Sequence, residues 1–327
     1  MQTNSKLRPI GQLVLLALAL ACLPACVAEV GGRADRDVAS IEQAIVFGDD
    51  DRLDYGEFGA NTPERKMADA TALLLNGGVQ CSGGTCQIDL TYDMPGEDAG
   101  LCQSEPFSFQ PVSATSFCSA VLVGPRLFAT AGHCISPIMQ TNCINMRVLF
   151  GYDADQQEGF PSLTYPESDV YTCTRVVISP DLSDYALIEV NRPVSGRVPA
   201  WIRRGGEPAV GASVTEVSYP SGLPLKIDQG GQIRSVTSTS IHANVDVSEI
   251  SSGSPLFDTA TGVVEGVMDT SPAPTFDIAN PGTPNECLLW NSCADVGCFA
   301  GYAAATRTST FASQVPLHPA GIVIVAL

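Results

Sequence analysis

From Ile45 onward the chain reads as short apolar or alternating stretches separated by turn residues. Ala120–Val123 (AVLV), Met146–Gly151 (MRVLFG), Tyr185–Val190 (YALIEV), Ser213–Ser218 (SVTEVS) and Gly262–Met268 (GVVEGVM) stand out. Each has the length and β-branched content of a strand. The 30 Gly and 23 Pro fall mostly between such runs. No long stretch carries helical periodicity and no internal repeat is visible. The pattern predicts an all-β fold, a sandwich or a barrel. Residues 60–117 are less regular and predict a weak strand plus a long loop pinned by disulfides. Asn191–Gly206 (NRPVSGRVPAWIRRGG) reads as a solvated connector between two halves, despite Arg192, Arg197, Arg203 and Arg204.

The N-terminus has a different pattern. Lys6 and Arg8 precede an apolar run from Leu13 to Leu23 that ends at Pro24. The run is too short for a comfortable membrane span. Its basic-then-apolar order is that of an export signal. Leu23-Pro24-Ala25-Cys26 resembles a lipoprotein box, which would put a lipid anchor at Cys26. Ordinary cleavage near Ala25 or Ala28 is the competing reading. Either way the protein is expected to be exported from a bacterium, secreted or held at the surface. Residues 1–26 are read as signal, 27–44 as leader or tether, and 45–327 as the folded domain.

Composition narrows the function. The chain has 327 residues and a formal net charge of −18. Loss of residues 1–26, which hold two basic residues and no acid, takes this to −20. Such a surface argues against nucleic acid and against docking by charge on an anionic membrane. Of 12 Cys, Cys22 and Cys26 are removed or modified on export, leaving ten that can pair. No phosphate-binding or dinucleotide motif is present, so no cofactor is expected. No metal site is expected either: Glu286–Cys298 holds three Cys but no nearby His, and export favours disulfides over zinc.

Two segments carry chemistry. Phe117–Ile135 (FCSAVLVGPRLFATAGHCI) contains Thr130-Ala131-Gly132-His133-Cys134, and Ser248–Asp258 (SEISSGSPLFD) contains Ser252-Gly253-Ser254-Pro255. A serine hydroxyl is a weak nucleophile without a base, and His133 is the best-placed of the three histidines. His242 has no motif around it and His318 sits in a Pro-flanked loop. Ser251 is a rival nucleophile, but Ser follows it where the motif has Gly. The third partner must be a buried carboxylate that orients the imidazole. Asp184-Tyr185-Ala186-Leu187 fits, with Asp181 the alternative.

These elements resemble the histidine and serine motifs of the trypsin-like serine proteases, in the order His133, Asp184, Ser252. Ile45–Asp54, Tyr219–Gly222, Ala243–Pro255 and Thr261–Val267 are similar to bacterial extracellular proteases of the glutamyl-endopeptidase type. The resemblance implies two packed antiparallel β-barrels, about 45–195 and 200–315, with the triad in the cleft between them. It also implies a Cys118–Cys134 bridge and hydrolysis of polypeptide substrates through an acyl-enzyme. Cys143 and Cys173 flank first-barrel strands and are expected to pair. Cys81, Cys86, Cys102, Cys287, Cys293 and Cys298 cannot be assigned from sequence. A monomer is expected.

The resemblance is imperfect. The oxyanion hole it implies is built from the backbone N–H groups of Ile250 and Ser252. In the family glycine usually stands where this chain has Ile250. A positive φ is costly for a β-branched residue, so a flipped or poorly aimed peptide is expected there. Ser251 takes the place of the Asp that pairs with a freed N-terminus in trypsin-like zymogens, which excludes that ion pair. Asp246, Val247 and Met268 fall at the positions of the substrate pocket. Val247 and Met268 cannot recognise a carboxylate, so a preference for Glu is not expected. The function reading is a serine endopeptidase. The alternatives are an inactive homologue acting as a surface binding module, or a chain that only processes itself.

Overall fold

A computed structural model describes residues 46–154, 160–180, 183–270, 274–293 and 302–317, the side chain of Cys293 excepted. All lie within the compact unit Ile41–Leu327. Cys26, Asp181, Cys298 and His318 lie outside the described residues. Among the described residues the fold is nearly all β, with two short α-helices, Pro63–Asp69 and Pro137–Thr141. Neither is long and apolar enough to cross a membrane.

Six antiparallel strands close the first barrel. In order around it they are Met146–Leu149, Val170–Ile178, Ala186–Val190, Leu127–Thr130, Ser116–Gly124 and Thr71–Asn76, which pairs back to the first. Phe128, Leu74, Val148 and Ile188 fill its interior. The second unit is an eight-stranded sheet that curls into a half-barrel. Its order is Ile233–Val236, Ser240–Ala243, Ala303–Arg307, Val264–Thr270, Pro255–Asp258, Val214–Ser218, Lys226–Asp228 and Arg52–Asp54. A bridge between Ser213 and Gln232 draws the Ile233 edge towards the Val214 strand. Val214 N–H donates to Gly231 O at 2.9 Å beside it. Val214, Ile241, Val245 and Leu256 form its core. A third apolar cluster, with Leu73, Val121, Val217, Tyr219 and Phe257, joins the two units. The two-barrel, chymotrypsin-like fold class expected from sequence is what the chain adopts, the second barrel less fully closed than the first.

Three local expectations need correction. Residues 60–117 hold a helix, Pro63–Asp69, started by Thr62, whose Oγ1 accepts the Arg65 N–H at 3.4 Å. They also hold a strand, Thr71–Asn76, that is buried along nearly its whole length rather than weak. The arginines of Asn191–Gly206 are not free side chains on a solvated run, although Arg204 is exposed. Arg203 pairs with both oxygens of Glu265, whose side chain is fully buried. Arg204 donates to the carbonyls of Ala312, Val315 and Pro316 at 2.6–3.0 Å. Arg192 gathers the carbonyls of Glu167, Ser168 and Val170 at 2.7–3.0 Å. The connector is clamped, and much of its charge run is spent on backbone oxygens.

Four disulfides join described cysteines: Cys118–Cys134, Cys143–Cys173, Cys81–Cys86 and Cys102–Cys287. The first two are the pairs expected. The pairing of Cys287 with Cys102 accounts for one member of the Glu286–Cys298 group without zinc.

Candidate active site

Strand register brings His133 and Asp184 together. Leu127–Thr130 and Ala186–Val190 pair antiparallel with Thr130 opposite Ala186. Continued by two residues, that register sets Asp184 opposite Gly132, next to His133. Glycine is required at 132: a Cβ there would lie 2.9 Å from Asp184 Oδ1 and 3.1 Å from Tyr185 N. Asp184 then holds the histidine at two points. Its Oδ2 is 2.8 Å from His133 Nδ1, and its Oδ1 accepts the His133 backbone N–H at 2.7 Å. The carboxylate is less buried than expected, 36% exposed, with His133 at 48%.

Each group shifts the other. The hydrogen bond from Asp184 raises the His133 pKa above its ordinary 6.5, against the opposing effect of burial, and the charges of Asp184 and Asp269 add to the rise. For Asp184, burial pushes upward, but hydrogen bonds from the His133 ring and backbone and from Gly132 bring the pKa below 3.8. An imidazole fixed by its Nδ1 side is left with Nε2 to exchange a proton.

Ser252 sits on the turn before the strand Pro255–Asp258, half-buried. The first-barrel strand Ser116–Gly124 anchors this turn through Ser119. Ser119 N–H donates to Ser252 O and its Oγ donates to Ile250 O, both at 2.8 Å. Thr130 Oγ1 donates to Ser119 O at 2.8 Å, which ties the same point to the strand leading to His133. Gly253 has φ +89°, and any Cβ would fall on Ser119 O and Thr130 Oγ1. Only glycine lets the serine turn approach the histidine strand this closely.

Ile250 does adopt a positive φ, +71°, the conformation a glycine would take. Its side chain is 7% exposed and packs in the cluster joining the barrels. The preceding carbonyl, Glu249 O, accepts the Ser221 N–H at 2.6 Å and the Ser248 hydroxyl at 3.3 Å. In a trans peptide C=O and N–H point opposite ways, so fixing this carbonyl aims the Ile250 N–H away from Ser221. No hydrogen bond among the described residues occupies the N–H of Ile250 or of Ser252.

Behind the turn lies a network that the sequence did not reveal. The buried Glu216 accepts hydrogen bonds from Ser254 Oγ and, at 3.0 Å, from Ser218 Oγ. Ser218 Oγ is 2.9 Å from Ser251 Oγ, which accepts the Ser248 N–H at 3.3 Å. Burial pushes the Glu216 pKa up to about 8, against those hydrogen bonds. Ser251 therefore supports its turn by hydroxyl contacts rather than an ion pair.

Asp246, Val247 and Met268 are all buried. Val247 and Met268 share the second core cluster. Met268 O accepts the Gly253 N–H at 2.7 Å, which places its backbone beside the serine turn. Asp246 Oδ1 accepts the Phe47 N–H at 2.8 Å. His242 lies apart, half-buried, with Nδ1 3.2 Å from Ser235 Oγ.

Residues 118–267 match the family model of the trypsin-like peptidase domain. The resemblance to trypsin-like serine peptidases carried by the histidine and serine motifs therefore holds over that stretch. No curated protein matches the chain in sequence. Among solved structures, a serine endoprotease from Yersinia pestis is 15% identical with a TM-score of 0.44, over 79% of this chain and 65% of its own. This chain thus spans just under two thirds of that protein. A Glu endopeptidase is similar over 83% of this chain and 96% of its own, at 15% identity and a TM-score of 0.46. The VesB protease of Vibrio cholerae is similar over 81% and 66%, at 13% identity and 0.46.

Proposed function

We propose that this protein is an exported serine endopeptidase acting through His133, Asp184 and Ser252. In this reading Ser252 Oγ attacks the carbonyl carbon of a peptide bond while His133 Nε2 takes its proton. The tetrahedral oxyanion is met by the N–H groups of Ile250 and Ser252. Collapse breaks the C–N bond, and His133 returns the proton to the leaving amine. Water, deprotonated by His133, then hydrolyses the acyl-enzyme. Asp184 keeps the ring oriented and stabilises the imidazolium. Val247 and Met268 would give the pocket beside Ser252 an apolar character, with Asp246 behind them. The observation that carries the reading is the double hold of Asp184 on His133 beside a serine turn whose two amides are unoccupied among the described residues. The disulfides and the basic-then-apolar N-terminus support export.

A fluorophosphonate probe tests it. The processed protein should become labelled at Ser252, and Ser252→Ala should abolish labelling without changing the melting temperature. Absence of labelling in correctly processed, folded protein would favour a binding module with this fold. Self-cleavage without turnover of added peptides would restrict the activity to processing.

A further inference from the structure

Away from the serine turn, three acidic residues distant in sequence meet. One carboxylate oxygen from each of Asp51, Asp228 and Asp246 lies within 4.8 Å of the other two. Asp51 is exposed, whereas Asp228 and Asp246 are buried, Asp246 to 2% exposure. The second group with ligand spacing, Cys118, His133 and Cys134, is not comparable, because its sulfurs are joined in a disulfide.

The neighbouring cations hold other partners, although Arg52 Nη1 is buried with no hydrogen-bond partner among the described residues. Arg52 donates Nε and Nη2 to the two oxygens of Asp50 at 2.8 and 2.6 Å. It adds a favourable field at Asp246 but makes no hydrogen bond to it. Lys226 Nζ is held by Asp54, Gln110 and the Pro224 carbonyl at 2.6–2.9 Å. Backbone amides cover part of the trio: Gly230 and Asp246 N–H donate to Asp228 at 2.9 and 2.7 Å, and Phe47 N–H donates to Asp246 Oδ1. Asp246 Oδ2 is buried and has no hydrogen-bond partner among the described residues. A buried carboxylate oxygen left without a partner is costly, and a second and third carboxylate beside it raise that cost.

The space is also shaped for convergence. A side chain at Gly230 would fall on the Asp51 carboxylate, so glycine there is what lets Asp51 reach the buried pair. We propose that Asp51, Asp228 and Asp246 form a calcium site. Calcium takes carboxylate oxygens at about 2.3–2.6 Å, so oxygens on one ion are separated by at most about 5 Å. The ion would supply the charge the trio lacks and a partner for Asp246 Oδ2. Asp51 at the mouth leaves room for water to complete the coordination. The ion would tie the strand Arg52–Asp54 to Lys226–Asp228 and to the segment leading to Ser252. The proposal goes beyond the peptidase reading and does not depend on it.

Titration of calcium chloride into the full processed chain, first stripped with a chelator, tests the site by calorimetry, alongside melting curves with and without calcium. One ion per chain is expected, with a Kd of about 0.1–1 mM as in extracellular calcium modules. Calcium should raise the melting temperature, and magnesium at equal concentration should do so less. Asp51→Asn alters only the exposed ligand and should weaken binding at least about tenfold. Gly230→Ala, which displaces Asp51 sterically, should do the same. No calcium heat together with unchanged melting would overturn the proposal. So would undiminished binding in both folded variants, which would place the ion elsewhere.

Discussion

Asp184 holds His133 by ring and backbone at once, Oδ2 at 2.8 Å from Nδ1 and Oδ1 at 2.7 Å from the amide nitrogen. The backbone contact fixes the histidine's position, and the ring contact fixes which nitrogen faces outward. The same contact raises the His133 pKa above 6.5. The general base must be neutral, so kcat/KM should rise with pH through an inflection above 6.5. Asp184→Asn should move that inflection to lower pH and reduce kcat by about 10⁴-fold. A pH profile of peptide hydrolysis for both proteins checks both statements. An unmoved inflection would show that another group controls the rate.

Ile250 poses an energetic question that substitution to glycine resolves. A positive φ costs a β-branched residue of order 1–3 kcal/mol. Removing a buried Ile side chain costs about 2–5 kcal/mol, and glycine adds backbone entropy to the unfolded chain. Burial outweighs strain, so Ile250→Gly should lower stability by about 1–3 kcal/mol. The N–H is unchanged by the substitution and Ser221 still fixes the Glu249 carbonyl, so kcat should stay within a few-fold. Denaturant melts and steady-state kinetics on the same preparation measure both. A large gain in kcat would show that the isoleucine had held the amide out of line.

Much of the candidate site was legible because it is local. The TAGHC segment, the Cys118–Cys134 spacing and Asp184 ahead of an apolar strand each concentrate their information within a few residues. Strand pairing then converts that information into geometry, as the Thr130–Ala186 register does for His133 and Asp184. What could not be read depends on distant partners. Ser119 and Ser221 look like ordinary hydroxyl residues until the fold sets them against Ile250 O and Glu249 O. The arginines of residues 192–204 have the composition of a solvated run, yet their acceptors are main-chain oxygens and a buried Glu265. The helix Pro63–Asp69 is too short for periodicity, and only Thr62-Pro63 signals its start. The convergence of Asp51, Asp228 and Asp246 has no sequence signature, since well over a hundred residues separate the first from the others.

The residues proposed for the pocket yield a prediction about specificity. Val247 and Met268 present no cation and no hydrogen-bonding side chain for a carboxylate. Peptides with Glu at the residue before the cleaved bond should therefore be turned over more slowly than those with an uncharged residue of similar size. Burying an unpaired carboxylate costs several kcal/mol, so the expected difference is about a hundredfold or more. A series of substrates varied at that residue alone decides it, and a preference for Glu would reject this assignment of the pocket.

Glu216 should give stability a pH dependence with a defined sign. Its pKa is about 8 in the folded protein, raised by burial, against 4.5 when exposed. Between those values the folded state holds a proton that the unfolded chain has released. Stability must then fall as pH rises from 4.5, with the decline ending above about 8, where both states are ionised. Replacing the acid by Gln keeps a donor and an acceptor for Ser254 and Ser218 and removes the titration. Glu216→Gln should therefore match the parent near pH 5 and melt at a higher temperature than the parent near pH 9. Melting curves across that range provide the test, with the difference between the two proteins isolating Glu216 from other buried acids. A parallel pair of curves would mean that Glu216 is ionised throughout, with Ser218 and Ser254 as full donors to a buried charge.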